Sequence, residues 1–160
     1  MKKTIIFVWI NFVTIDKKIC EVACVLTDKE LTHISTCFKI SIKQEVQTTD
    51  VNLKSLLKEV LESPYSKEDT ETALYQFIKD KLSGRGILVT NSEVNNLIKE
   101  NFNSINSLFD SKIHLESLKQ FYSIWFNRPR QTFSQDSRAT PKILEMIDEL
   151  RFYKDNLCLT

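Results

Sequence analysis

Ile5-Ile6-Phe7-Val8-Trp9-Ile10 and Ile19-Cys20-Glu21-Val22-Ala23-Cys24-Val25-Leu26 are the stretches whose reading decides the fold. The first is a continuous apolar run, the pattern of a central strand covered on both faces. The second is rich in β-branched residues and reads as another strand. Thr27-Asp28-Lys29-Glu30 supplies a polar turn, and Ile34 to Ile42 then alternates, with Ile34, Thr36, Phe38 and Ile40 on one face. These three runs are close enough in the chain to form an antiparallel meander.

Downstream the period changes from two to helical. Leu53, Leu56, Leu57, Val60 and Leu61 make one helical stripe, and Leu74, Phe77, Ile78 and Leu82 another, with Gly84 placed to end it. Gly86 to Thr90 is a short apolar strand, followed by a helical stripe of Val94, Leu97, Ile98 and Phe102. Ile113 to Leu115 is a further short strand. Leu118, Phe121, Tyr122 and Trp125 form a helix face that Asn127-Arg128-Pro129 breaks. Thr140-Pro141 is a suitable N-cap and first-turn pair for a last helix whose face carries Leu144, Ile147, Leu150 and Tyr153. The order βββ, αα, β, α, β, α, α predicts an α/β domain, residues 1–160, with three antiparallel strands first and helices packed on a mixed sheet.

Composition narrows the function classes. The 160 residues are 42% apolar and 27% charged, a globular balance for one domain. Lys and Arg number 22 against 21 Asp and Glu, so there is no basic excess for a strong non-specific grip on nucleic acid. The four cysteines form no Cys-x-x-Cys pair, and His33 and His114 lie far from ligand spacing, which argues against zinc. Cys20, Val22 and Cys24 alternate as one face of a strand would, and read as small buried hydrophobes. The apolar start ends at Asn11 without a small-residue cleavage site, so it reads as a strand and not a signal peptide. No run approaches the roughly 20 apolar residues of a membrane span. A cytoplasmic or organelle-lumen protein with reduced thiols is the expectation.

Several words, taken in order, are similar to the oligoribonuclease family. Val8-Trp9-Ile10-Asn11-Phe12 resembles its opening strand, and Lys18-Ile19-Cys20-Glu21-Val22-Ala23-Cys24-Val25-Leu26-Thr27-Asp28 its second. Ile42-Lys43-Gln44 looks like the end of the third strand, and Asn91-Ser92 the end of the fourth. Leu115-Glu116-Ser117-Leu118-Lys119 and Ser137-Arg138-Ala139 followed by Ile143, Glu149-Leu150, Tyr153 and Lys154 complete the series. The resemblance covers nearly the whole chain and implies an RNase H-like fold. It also implies membership among 3′-to-5′ exonucleases that hydrolyse phosphodiesters with two divalent cations. Such cations sit about 4 Å apart and repel strongly, so carboxylates must neutralise them, while a histidine takes the proton from the attacking water.

The residues at the corresponding positions depart from that chemistry. The first Asp falls on Asn11 and the Glu two residues later on Val13, just before a turn shorter than the family's. The Asp on the helix after the fourth strand falls on Asn96, the histidine on Ser137 and the last Asp on Lys142. An amide brings no charge, valine offers no ligand, and lysine reverses the sign. An ammonium at Lys142, paired with Asn11 and Asn96, is expected to stand in the place of a metal. Asp16, Glu93 and Glu145 are the nearby acids that a migrated site would recruit. A phosphate-capping Arg of the family falls on Ser111, and a Tyr contributed by its partner subunit falls on Asp110. Ser92 matches a phosphate-side residue, or is the N-cap of the helix that follows.

Arg128, Arg130 and Arg138 lie near Trp125, Phe126 and Phe133, a mixture that binds single-stranded nucleic acid, makes a protein interface, or is a surface loop over core aromatics. The expectation is therefore an exonuclease scaffold without nuclease activity or metal cofactor, serving as a binding or structural subunit. Its partners would be protein, an RNA-containing assembly or short RNA, with the homodimer the resemblance implies and no membrane. The alternatives are an active exoribonuclease on short RNA using Mg or Mn through relocated ligands, and a nucleotide-binding module retaining only the pocket.

Overall fold

The computed structural model describes residues 5–29, 31, 34, 37–82, 85–117 and 138–158. Its strands are β1 (Ile5–Ile15), β2 (Lys18–Asp28), β3 (Phe38–Ser41), β4 (Arg85–Thr90) and β5 (Ser111–His114). Its helices are α1 (Lys54–Glu62), α2 (Lys67–Lys81), α3 (Ser92–Asn101) and α4 (Ala139–Cys158). The five strands form one sheet in the order β3-β2-β1-β4-β5. The β1–β2 and β2–β3 pairs are antiparallel, whereas β4 runs parallel to both β1 and β5. This is the expected RNase H-like mixed α/β architecture.

The sheet is covered on both faces, as the unbroken apolar runs require. On one face Trp9, Val13, Ala23, Val25 and Val89 meet Leu56 and Val60 of α1 and Ile143, Ile147 and Leu150 of α4. On the other, Val8, Ile10, Val22, Cys24 and Leu88 meet Leu74 and Ile78 of α2 and Val94 and Ile98 of α3. The β1–β2 hairpin closes through Asp16 and Lys17 at φ 52° and 64°. Two consecutive left-handed residues match the right-handed twist of the flanking strands. Among the described residues no helix is long and apolar enough to cross a membrane.

Several local expectations are corrected. Cys20 does not share a face with Val22 and Cys24: it packs with Trp9, and they pack with Val8. The register shifts between Val13 and Thr14, and this bulge inverts the alternation around Cys20. Thr27 and Asp28 belong to β2, where the Thr27 hydroxyl accepts from the buried Trp9 indole at 2.9 Å. The third strand is shorter than Ile34–Ile42; Ile34 makes an isolated bridge to Thr27, after a turn that places Leu31 at φ 61°. Leu61 is 51% exposed and leaves the stripe that Leu56 and Val60 bury. The Gly84 helix stop and the stripe from Leu118 to Trp125 lie outside the described residues.

The helix ends show what the chain uses for caps. A capping box of Ser66 and Asp69 opens α2. Asn91 caps α3, its side chain accepting from Val94 N–H at 2.8 Å, so the cap falls on Asn91 and not on Ser92. The last helix starts at Ala139, ahead of the expected Thr140-Pro141 cap. Its first N–H donates to the Glu21 carboxylate of β2 at 2.9 Å. A buried anion from a distant strand replaces the local cap, and the helix dipole favours it there.

Truncating Leu56, fully buried, to Ala is expected to cost about 2–5 kcal/mol, and Leu61→Ala to change stability by less than about 0.5 kcal/mol. Urea denaturation of the two variants checks this. Equal losses would contradict the assignment of the buried α1 face.

Candidate functional site

Ligands of open α/β sheets sit outside the carboxyl ends of parallel strands, where the connections diverge. Here that place is the end of β1 and β4, between α3 and α4. The parallel pairing ends at Trp9↔Val89, and β1 continues alone beside β2 through Asn11↔Ala23 and Val13↔Glu21. Asn11 and Val13 are therefore successive residues on the face that carries Trp9.

Asn11 is half-buried, and its Oδ1 accepts from the Phe12 N–H at 2.8 Å. The amide thus satisfies backbone that β4 no longer reaches. Val13 is 5% exposed and packs in the core cluster of α4. Asn96 lies exposed on α3, and Lys142 lies half-buried in the first turn of α4, beside core residue Ile143. No hydrogen bond or ion pair joins Lys142 to Asn11 or Asn96 among the described residues, so the expected pairing of ammonium and amides is not formed. Ser137, Arg128 and Arg130 lie outside the described residues.

The acids that a migrated site would need are scattered. Asp16 is exposed in the hairpin turn, Glu93 is exposed on the first turn of α3, and Glu145 is half-buried on α4. Among the described residues no three His, Cys, Asp or Glu side chains stand together to hold a metal ion. A pair of hard dications needs several converging carboxylate oxygens. An amide engaged with backbone, a valine in the core and a lysine do not fit that group. Among the described residues, a void of about 10 Å³, the scale of one water molecule, lies under Trp9, Val89, Thr90, Asn91, Val94 and Ile143.

The charged centre of this face lies one strand over. Glu21 is fully buried in the middle of β2. Its carboxylate takes the Ala139 N–H at 2.9 Å and the Arg138 Nε at 2.9 Å, and pairs also with Arg138 Nη2. The same guanidinium contacts Glu59 of α1 at 2.6 Å and Ser55 at 3.3 Å. Glu21 hydrogen bonding holds Arg138 above its ordinary pKa against the opposing effect of burial. Burial pushes Glu59 up, but hydrogen bonds from Arg138 and Ser41 and the nearby charges outweigh it, leaving its carboxyl below the usual range. Arg138, expected among nucleic-acid contacts, is partly exposed and carries two carboxylates.

Ser92 stands exposed on the first turn of α3, its Oγ 3.4 Å from His114 Nε2. His114 Nδ1 accepts from the Glu116 N–H at 3.3 Å. Asp110 pairs with Arg85 at 3.4 Å across an exposed edge. Cys20 and Cys24 are buried and burial pushes both thiols up, which suits packing and not redox chemistry.

Comparison with known proteins agrees with this scaffold. No family model matches the chain. A probable oligoribonuclease of Caenorhabditis elegans is 26% identical over 87% of this chain and 79% of its own length. The zinc-bound complex of E. coli exonuclease I with single-stranded DNA superposes with a TM-score of 0.69 at 10% identity, over 96% of this chain and 41% of that one. The 3′-exonuclease that recognises the histone mRNA stem-loop superposes with a TM-score of 0.65 at 14% identity, over 96% and 65%. The chain thus spans less than two thirds of these two solved structures. In sequence it is oligoribonuclease-like, and its fold is the mixed α/β fold of the 3′-exonucleases.

Proposed function

We propose that this chain is a pseudo-exonuclease: an oligoribonuclease-like scaffold that does not hydrolyse RNA and serves as a binding or structural subunit. The observation that carries this reading is the set Asn11, Val13, Asn96, Ser137 and Lys142 at the five positions where the resemblance puts the metal ligands and the general base. The side chains that are described there form no carboxylate cluster, and the crevice between β1, β4, α3 and α4 is packed with apolar groups. Two-metal hydrolysis has no purchase on such a surface.

The near-neutral net charge of +1 favours protein contacts over a free RNA-binding role. The subunit is assigned to the cytoplasm, in an RNA-containing assembly or as a homodimer. Within such an assembly the segment of Arg128 and Arg130, flanked in sequence by Trp125, Phe126 and Phe133, is assigned to phosphate contact and base stacking. Ser92 is the other candidate contact, exposed at the start of α3.

Labelled di- to pentanucleotides incubated with the purified chain and Mg²⁺ or Mn²⁺ should remain intact. Cleavage that chelator abolishes would replace this reading with a divergent active exoribonuclease using relocated ligands. If these arginines meet RNA, Arg128→Ala with Arg130→Ala should lower the dependence of log K on log salt by about 1.4, two phosphates at about 0.7 each. Fluorescence anisotropy with a labelled single strand reads that slope. An unchanged slope would assign the two arginines to a protein interface instead.

A further inference from the structure

At the hairpin end of β1 and β2 the chain leaves an open groove of about 540 Å³. Ligand clefts span roughly 300–1,000 Å³. One wall is Thr14, Ile15 and Asp16. The other runs from Gln47 to Asp50 and ends at Leu53, in the short 3₁₀ turn Val51–Leu53 that precedes α1. Ile15 is buried and Leu53 half-buried, both against the core under α1 and α4, so the apolar part of the lining is anchored. Val51, bracketed in the chain by Asp50 and Leu53, is 72% exposed, more than any other large apolar side chain among the described residues.

Asp16 and Asp50 put one exposed carboxylate on each wall. Among the described residues no Lys, Arg or His lines the groove; Lys17 and Lys54 adjoin it in the chain without lining it. Both carboxylates stand on backbone that is already fixed. Asp16 is a left-handed residue of the hairpin turn, at φ 52°. Asp50 caps the 3₁₀ turn: its Oδ1 accepts from the Asn52 N–H at 2.9 Å, and its own N–H donates to Thr48 Oγ1 at 3.1 Å. Like charges on both walls repel phosphate and attract a cation. Charge alone does not hold a partner there, because an exposed ion pair contributes little. The occupant has to cover apolar surface as well. In an extended segment alternate side chains face opposite ways, so apolar residues can seat on Leu53 and Ile15 while long basic side chains reach the carboxylates.

We infer that this groove docks an extended segment of a protein partner in which basic and apolar side chains alternate. Asp16 and Asp50 take the ammonium or guanidinium groups, and Val51, Leu53 and Ile15 take the apolar ones. This names the partner class for the binding role proposed above, and rests on that reading only for there being a protein partner.

The test uses the full chain and a labelled, end-capped hexapeptide alternating lysine and leucine, read by fluorescence anisotropy up to millimolar protein. Asp16→Asn with Asp50→Asn removes both charges and keeps the backbone, since Asn tolerates the left-handed turn and caps as well as Asp. This double variant should weaken binding roughly tenfold and flatten its salt dependence. Val51→Ser should weaken it roughly fivefold and leave the salt dependence as in the wild type. No binding, or binding indifferent to the charge variants, would overturn the inference. So would displacement of the peptide by a single-stranded hexanucleotide. Displacement by spermidine, with Val51→Ser without effect, would assign the groove to a free polyamine instead. Chelator-sensitive RNA cleavage alongside charge-dependent peptide binding would sink the inactive reading and leave the groove assignment standing. Intact RNA with no peptide binding would do the reverse.

Discussion

One buried ion pair joins the second strand to the start of the last helix. Glu21 is a charged residue in a strand whose neighbours are otherwise apolar, and it is wholly removed from solvent. Such a group is stable only if its oxygens are all engaged, and Arg138 with the Ala139 N–H engage them. Their partnership spans more than a hundred residues of sequence and decides where the last helix begins. Ile143, Ile147 and Leu150 are thereby delivered onto Trp9, Val13 and Val25. Hydrophobic burial supplies most of the free energy, and the ion pair lies at the edge of that apolar contact.

That arrangement bears directly on the crevice. In a two-metal site the end of the first strand must stay polar, open and negatively charged. Here Val13 belongs to the core, Asn11 serves its own backbone, and Met146 and Ile143 line the small void that is left. The negative charge on this face that the fold buries is Glu21, matched with the Arg138 guanidinium.

Much of the fold was legible in the chain. The unbroken runs of β1 and β2 announced strands covered on both faces, and helical spacing located α1, α2 and α3 because their buried residues recur every three or four positions. The placing of Asn11, Val13, Asn96 and Lys142 at site positions comes from the family resemblance and not from any local pattern. Long-range pairing was not. The partner of Glu21 could not be read from a local pattern, although a lone acid inside Ile19-Cys20-Glu21-Val22-Ala23 signalled that one must exist. The cap at Ala139 escaped for the same reason: Thr140-Pro141 is a good local cap, and a buried carboxylate from another element outcompetes it. The inverted face of Cys20 came from a bulge, which alternation alone does not announce.

The central claim is that this chain offers no site for a pair of catalytic divalent cations. Electron paramagnetic resonance of Mn²⁺ titrated into the purified protein counts bound metal directly, without recourse to any substrate. The account predicts that the free-ion signal follows total Mn²⁺ as it does in buffer. Loss of that signal with a stoichiometry of two tightly held ions per chain would contradict it.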